Sequence, residues 1–168
     1  MKTGWQDIDG ERYYFSPWGT MKTGWQNKDG NWYCLSGDGK MLTGWQTVDG
    51  QYYYMDAAGI MKTGWQQVNN QWYYMDQTGV MQTGFQTIAT KNGGKKRVCY
   101  GDDGAILYGK QKVDEKWYYF HPVTGAVMYG EQKIDGKWHY CDRQTGAMAI
   151  GIQTITMRNG VQKTVCYG

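Results

Sequence analysis

Trp5, Trp25, Trp45 and Trp65 recur at intervals of twenty residues inside Gly-Trp-Gln, and Phe85 takes the next slot in Gly-Phe-Gln. Seven residues after each tryptophan lies a second slot, filled by Arg12, Trp32, Tyr52 and Trp72. Two electron-rich rings at a half-exposed corner suit a bulky, weakly hydrated cation. A quaternary ammonium group binds such a corner by cation–π attraction and burial of its methyl groups, at about 0.5 to 2 kcal/mol per contact. One such site is weak. Several on one array, facing a polymer with many copies of the ligand, gain avidity of about 10² to 10⁴ without a new contact.

Other chemistries find few residues. The histidines are His121, beside Pro122, and His139; the serines are Ser16 and Ser36, both in connecting segments. They compose no nucleophile and base pair, so catalysis is not expected within this chain, nor is a cofactor. Cys34, Cys99, Cys141 and Cys166 lack metal-ligand spacing and read as small buried thiols in strands. The formal charge is +3, with scattered basic residues apart from Lys95-Lys96-Arg97 in one loop, which argues against nucleic-acid binding. No apolar run approaches the roughly twenty residues of a membrane span, so no membrane insertion is expected. The chain opens inside a repeat, because Met1-Lys2-Thr3-Gly4-Trp5 equals Met21-Lys22-Thr23-Gly24-Trp25. That beginning shows no signal peptide and reads as a piece of a longer protein.

A fixed short period implies an array of small units, each stabilised mainly by its neighbours. With aromatics at 16% of 168 residues and few aliphatics, the core must draw on Trp, Tyr and Met. Asp9-Gly10, Asp29-Gly30, Asp49-Gly50 and Asn69-Asn70 tolerate positive φ at both turn positions and predict two-residue β-hairpins. In the unit of Trp45 this register sets Val48 opposite Gln51, Thr47 opposite Tyr52, Gln46 opposite Tyr53 and Trp45 opposite Tyr54. Alternation then places Trp45, Thr47, Tyr52 and Tyr54 on one face, with Trp45 and Tyr52 as diagonal neighbours. The same arithmetic pairs Trp25 with Trp32 and Trp65 with Trp72. The middle tyrosines (Tyr13, Tyr33, Tyr53, Tyr73, Tyr118) fit a core role as well as a site role, and the methionines of Gly-x-Met fit gap filling as well as a site floor.

Beyond Phe85 the period loosens while the hairpin logic persists. Units start near Phe85, Lys110, Glu131 and Ile152, and the Phe85 and Ile152 units are longer and alike, ending in Val98-Cys99-Tyr100-Gly101 and Val165-Cys166-Tyr167-Gly168. Eight hairpins are expected, regular over 1–84 and divergent over 85–168.

Gly24-Trp25-Gln26, Asn31-Trp32-Tyr33 and Gly39-Lys40-Met41-Leu42-Thr43-Gly44-Trp45 resemble the choline-binding repeats of Gram-positive surface proteins and phage lysins. The likeness is close over 1–84 and weaker beyond. It implies an all-β, left-handed solenoid of stacked hairpins on the outside of a bacterial cell, or in a lysin acting on its wall. It also implies binding of choline, as the phosphocholine of teichoic acids, between successive hairpins. Carried over residue by residue, it implies one site from Trp25, Trp32, Met41 and Tyr53, another from Trp45, Tyr52, Met61 and Tyr73, and a third begun by Trp65, Trp72 and Met81. Whether Tyr53 and Tyr73 or their neighbours Tyr52 and Trp72 supply the third wall stays open.

Departures from the pattern mark other corners. Arg12 sets a cation beside Trp5, and the Gly-Trp slot later holds Lys110, Glu131 and Ile152, although Trp117 and Trp138 keep the spacing from the first two. Lys110 opposes choline, Glu131 beside Trp138 helps hold a cation, and the second half is expected to be mainly scaffold. The glucan-binding repeats of glucosyltransferases and the receptor-binding repeats of clostridial toxins are also similar, so carbohydrate stays open as a partner, as does a structural spacer. Exposed terminal units of a solenoid self-associate, which leaves a homodimer as a further expectation.

Overall fold

The structure, a computed structural model, describes residues 1–156 and 160–167. Gly168 and the side chains of Cys166 and Tyr167, named above as part of the second long repeat, lie outside what is described. The chain divides into two compact units, Met1–Gln82 and Thr83–Gly168. The first holds β1 (Gly4–Ile8), β2 (Glu11–Phe15), β3 (Gly24–Lys28), β4 (Asn31–Leu35), β5 (Gly44–Val48), β6 (Gln51–Met55), β7 (Gly64–Val68) and β8 (Gln71–Met75). The second holds β9 (Gly84–Ala89), β10 (Lys95–Tyr100), β11 (Gly109–Val113), β12 (Lys116–Phe120), β13 (Gly130–Ile134), β14 (Lys137–Cys141), β15 (Gly151–Thr156) and β16 (Gln162–Tyr167). Each consecutive pair forms its own two-stranded antiparallel sheet. The fold is all-β, each unit a solenoid of stacked hairpins, and among the described residues there is no helix.

Turn chemistry sets the register. Asp49 and Gly50 have φ of 50° and 75°, the signature of a two-residue turn whose twist matches its strands. Trp45 accordingly pairs with Tyr54, Gln46 with Tyr53, Thr47 with Tyr52 and Val48 with Gln51, the pairing that the turn predicts. Asn69 and Asn70 adopt the same geometry, as do Asp114 and Glu115. The glutamine of Gly-Trp-Gln closes the other end of the hairpin. Gln46 Nε2 donates to the Thr43 carbonyl at 2.7 Å, bridging Gly44 at φ 70°, and Gln6, Gln26, Gln66, Gln86, Gln111 and Gln132 repeat the bond.

An isolated two-stranded hairpin is marginal in water, so stability must come from stacking. Within each unit the last residues of second strands are buried: Leu35, Met55 and Met75 in the first unit, and Tyr100, Phe120 and Cys141 in the second, while Phe15 at the end of β2 is half-buried. The aliphatic shortage is thus met by apolar residues at these strand ends, while the Gly-Trp tryptophans stay at the rim. In the second unit Cys99, Tyr118, Phe120 and Val127 cluster, with Phe85, Leu107, Val113 and Ala147 against them. The described thiols Cys34, Cys99 and Cys141 are buried and free, and burial pushes Cys99 and Cys141 up to about 11. One placement differs from expectation. Lys95, Lys96 and Arg97 lie in β10 rather than in a loop, because the longer hairpin extends its ladder to Lys95 opposite Ala89.

Links between hairpins repeat one backbone bond. The Met61 amide donates to the Trp32 carbonyl at 2.8 Å, Met81 to Tyr52 at 2.8 Å and Met41 to Arg12 at 2.7 Å. In the second unit Val127 donates to Arg97 and Met148 to Trp117. Each link therefore fastens to the hairpin before the one it leaves, and this offset decides which side chains meet.

Candidate ligand site

Trp25 and Trp32 stand on one face of the β3–β4 hairpin, with ring centroids 6.4 Å apart and planes at 83°. Tyr53 of β6 presents its ring to Trp25 at 4.9 Å and 66°, so the middle triplet residue supplies the third wall. Met61 is brought in by its bond to the Trp32 carbonyl, and Gln77 and Thr78 complete the lining. These six residues line an open cavity of about 460 Å³. None carries a charge at neutral pH, so a cation entering there meets ring faces and a thioether rather than a counter-ion. That arrangement favours a poorly hydrated ammonium over a strongly hydrated one.

The next corner follows the same plan. Trp45 meets Tyr73 at 4.8 Å and 66°, Tyr52 is half-exposed beside them, and the Met81 amide is fixed to the Tyr52 carbonyl. On the β7–β8 hairpin Trp65 and Trp72 stand near perpendicular at 6.3 Å and 80°. The middle tyrosines act in both expected roles, since Tyr73 is buried while packing edge-on against Trp45.

The methionines sit one corner earlier than the resemblance implied. Met61, not Met41, closes the Trp25, Trp32 and Tyr53 group, and it is the Met81 amide, not that of Met61, that fastens to Tyr52 beside Trp45. Met41 instead fastens to Arg12, and a side chain added at Gly59 would run into its thioether. The cause is the link offset: the methionine amide bonds to a hairpin two units back, which twenty-residue spacing does not reveal.

Short turns hold the link walls. Asp76 Oδ1 accepts from the Thr78 amide at 2.8 Å, the Thr78 hydroxyl at 2.6 Å and the Val80 amide at 3.1 Å, which fixes the Thr78 edge of the cavity. Burial raises the Asp76 carboxyl, but these donors outweigh it and hold the group below its ordinary value. Asp56 behaves alike with the Ile60 and Ala58 amides and Lys62. Ser16, Ser36 and His121 occupy the equivalent place and accept from link amides, so these residues are fastenings for turns.

In the second unit Lys110, Trp117, His139 and Met148 occupy the slots of Trp25, Trp32, Tyr53 and Met61, with Ala149 and Ile150 nearby. Their cavity shrinks to about 120 Å³. The Lys110 ammonium lies 5.1 Å from the Trp117 ring centroid. Trp138 is 61% exposed.

Fold and corners together define a hairpin-stack module built around aromatic cavities. The choline-binding repeat family matches residues 2–43 and 107–152, and the putative cell wall binding repeat matches 43–61 and 63–81. The chain is similar to choline binding protein F from Streptococcus pneumoniae, solved in the presence of a peptidoglycan analogue, at 34% identity and a TM-score of 0.78, covering 96% of this chain and 55% of that one. CbpJ from Streptococcus pneumoniae TIGR4 matches at 31% identity and a TM-score of 0.76, covering 96% and 56%. CbpF in complex with ipratropium matches at 32% identity and 0.75, covering 96% and 59%. The chain thus spans somewhat over half the length of these structures. The comparison with curated proteins gives no significant match. The chain belongs to the choline-binding repeat family, a family of cell-wall binding modules.

Proposed function

We propose that this chain is a non-catalytic attachment module at the outer surface of a bacterium, or in a lysin acting there, that holds the phosphocholine of teichoic acids in aromatic cages. The observation that carries the reading is the uncharged cavity of Trp25, Trp32, Tyr53 and Met61. Trp45, Tyr52, Tyr73 and Met81 form a second cage, and Trp65 with Trp72 begins a third. Ligand sites then fall within 1–84, and 85–168 serves mainly as scaffold. Ipratropium, which a similar protein holds in its solved complex, is itself a quaternary ammonium compound and so matches the chemistry of these walls.

Three ring contacts of about 0.5 to 2 kcal/mol place one cage near the millimolar range, about −4 kcal/mol. A ligand at 100 times its Kd stabilises the native state by about 2.7 kcal/mol per site. Scanning calorimetry with choline, betaine and a glucan oligosaccharide tests the reading. Choline and betaine should both raise Tm, and the glucan should leave it unchanged. A response to glucan with none to choline refutes it, and no response to any of the three favours a structural spacer.

A further inference from the structure

We infer that three aromatic corners are occupied by the chain's own cations, which act as built-in ligands and close those corners to external ammonium compounds. At the first, the Arg12 guanidinium carbon lies 5.1 Å from the Trp5 ring centroid, while Tyr33 supplies the third wall at 4.9 Å from Trp5. Asp7 holds Arg12 at 3.8 Å, and Lys28 lies 4.2 Å over the adjoining Tyr14 ring. At the second, Arg97 lies 4.0 Å over Phe85, with Tyr118 as the wall at 4.9 Å. At the third, Lys110 lies 5.1 Å over Trp117.

Register shows that these are the same two slots each time. Arg97 pairs with Thr87 as Trp32 pairs with Asn27 and Arg12 with Asp7. The carbonyls of Arg12, Arg97 and Trp117 accept the link amide as the Trp32 carbonyl does. One slot of each pair keeps its ring while the other carries a cation that turns onto it. Arg97 goes further. Its Nη1 donates to the Thr145 carbonyl at 2.7 Å, in a link whose counterpart, Thr78, lines the open Trp25 cavity.

A tethered cation competes with free ligand at an effective concentration of about millimolar or above. A cage that binds choline at millimolar strength cannot displace it efficiently, and it has also lost one wall to the cation's stem. The cavity of about 120 Å³ at Lys110, against about 460 Å³ at Trp25, is the steric expression of the same exchange.

The effect on choline stoichiometry rests on the choline reading above; the occupancy itself does not, and two readouts separate them. In the ligand-free protein, NMR should find the Arg97 δ-methylene and Lys110 ε-methylene protons shifted upfield by the rings beneath them. Phe85→Leu and Trp117→Leu should return them to ordinary positions. Methylene shifts already ordinary in the wild type overturn the inference. By titration calorimetry, Arg12→Trp or Lys110→Trp should add one choline site to the wild-type number, while Arg12→Gln, which removes the charge without adding a ring, should add none. If choline binds the wild type and neither tryptophan variant gains a site, the closing role is overturned. If the wild type binds no choline, the choline reading falls and the methylene shifts decide the occupancy alone.

Discussion

Trp25 and Lys110 open hairpins of the same register, seven residues before Trp32 and Trp117, and both of those tryptophans accept a methionine amide on their carbonyls. Around Trp25 the walls leave about 460 Å³; around Lys110 they leave about 120 Å³, with an ammonium over the remaining ring. The backbone plan is shared, so the difference lies in the wall side chains, with Lys110 in the slot of Trp25 and His139 in that of Tyr53. A repeat scaffold can keep the link bond that fastens its hairpins while substitutions in two wall slots turn a cage into a filled joint.

The largest test of that separation concerns the scaffold. Phe120→Ala removes a fully buried ring from the second unit and should cost about 3 to 5 kcal/mol of stability, measured by denaturant unfolding. Next comes the open cage. Trp25→Ala should weaken choline at that corner by about tenfold to a hundredfold and lower the calorimetric stoichiometry by one, because it removes a wall that also meets Tyr53.

Acid should act on the links of both units. The carboxyls of Asp56, Asp76 and Asp142 are held below their ordinary values in the folded state, so their contribution is complete above the unfolded value and is lost as pH falls through the folded one. Thermal scans should show stability falling below about pH 4, with Asp76→Asn making the fall shallower. Glu115 sits at φ 62° at a turn position held by Gly10, Gly30, Gly50 and Gly136 in four other hairpins, so Glu115→Gly should stabilise the second unit by about 1 kcal/mol in urea unfolding. Smallest of all, Lys110→Ala should change choline affinity at the open cages less than twofold in the same titration that reads Trp25→Ala.

Much of this was legible in the chain. Asp49-Gly50 and Asn69-Asn70 carry their conformation locally, so hairpin register followed from the turn alone. The paired rings followed from register, and Arg12 and Lys110 stood out because the period around them is regular. Three things were not legible. Gln46 and its equivalents tie back to a carbonyl three residues earlier, a bond that no hydrophobic pattern announces. The methionines were assigned one corner too late, because stacking offset is set by backbone bonds between distant hairpins. Arg97 was missed because a five-residue turn region displaces it from the seven-residue spacing, and only the ladder shows that it holds the slot of Trp32.

The nine tryptophans are their own reporters. An NMR titration of their indole N–H signals with choline compares open and filled corners in one sample. The indoles of Trp25, Trp32 and Trp45 should shift together in the millimolar range while Trp5 and Trp117 stay in place. Movement of Trp5 or Trp117 at the same choline concentration, or stillness of all nine, would contradict the account.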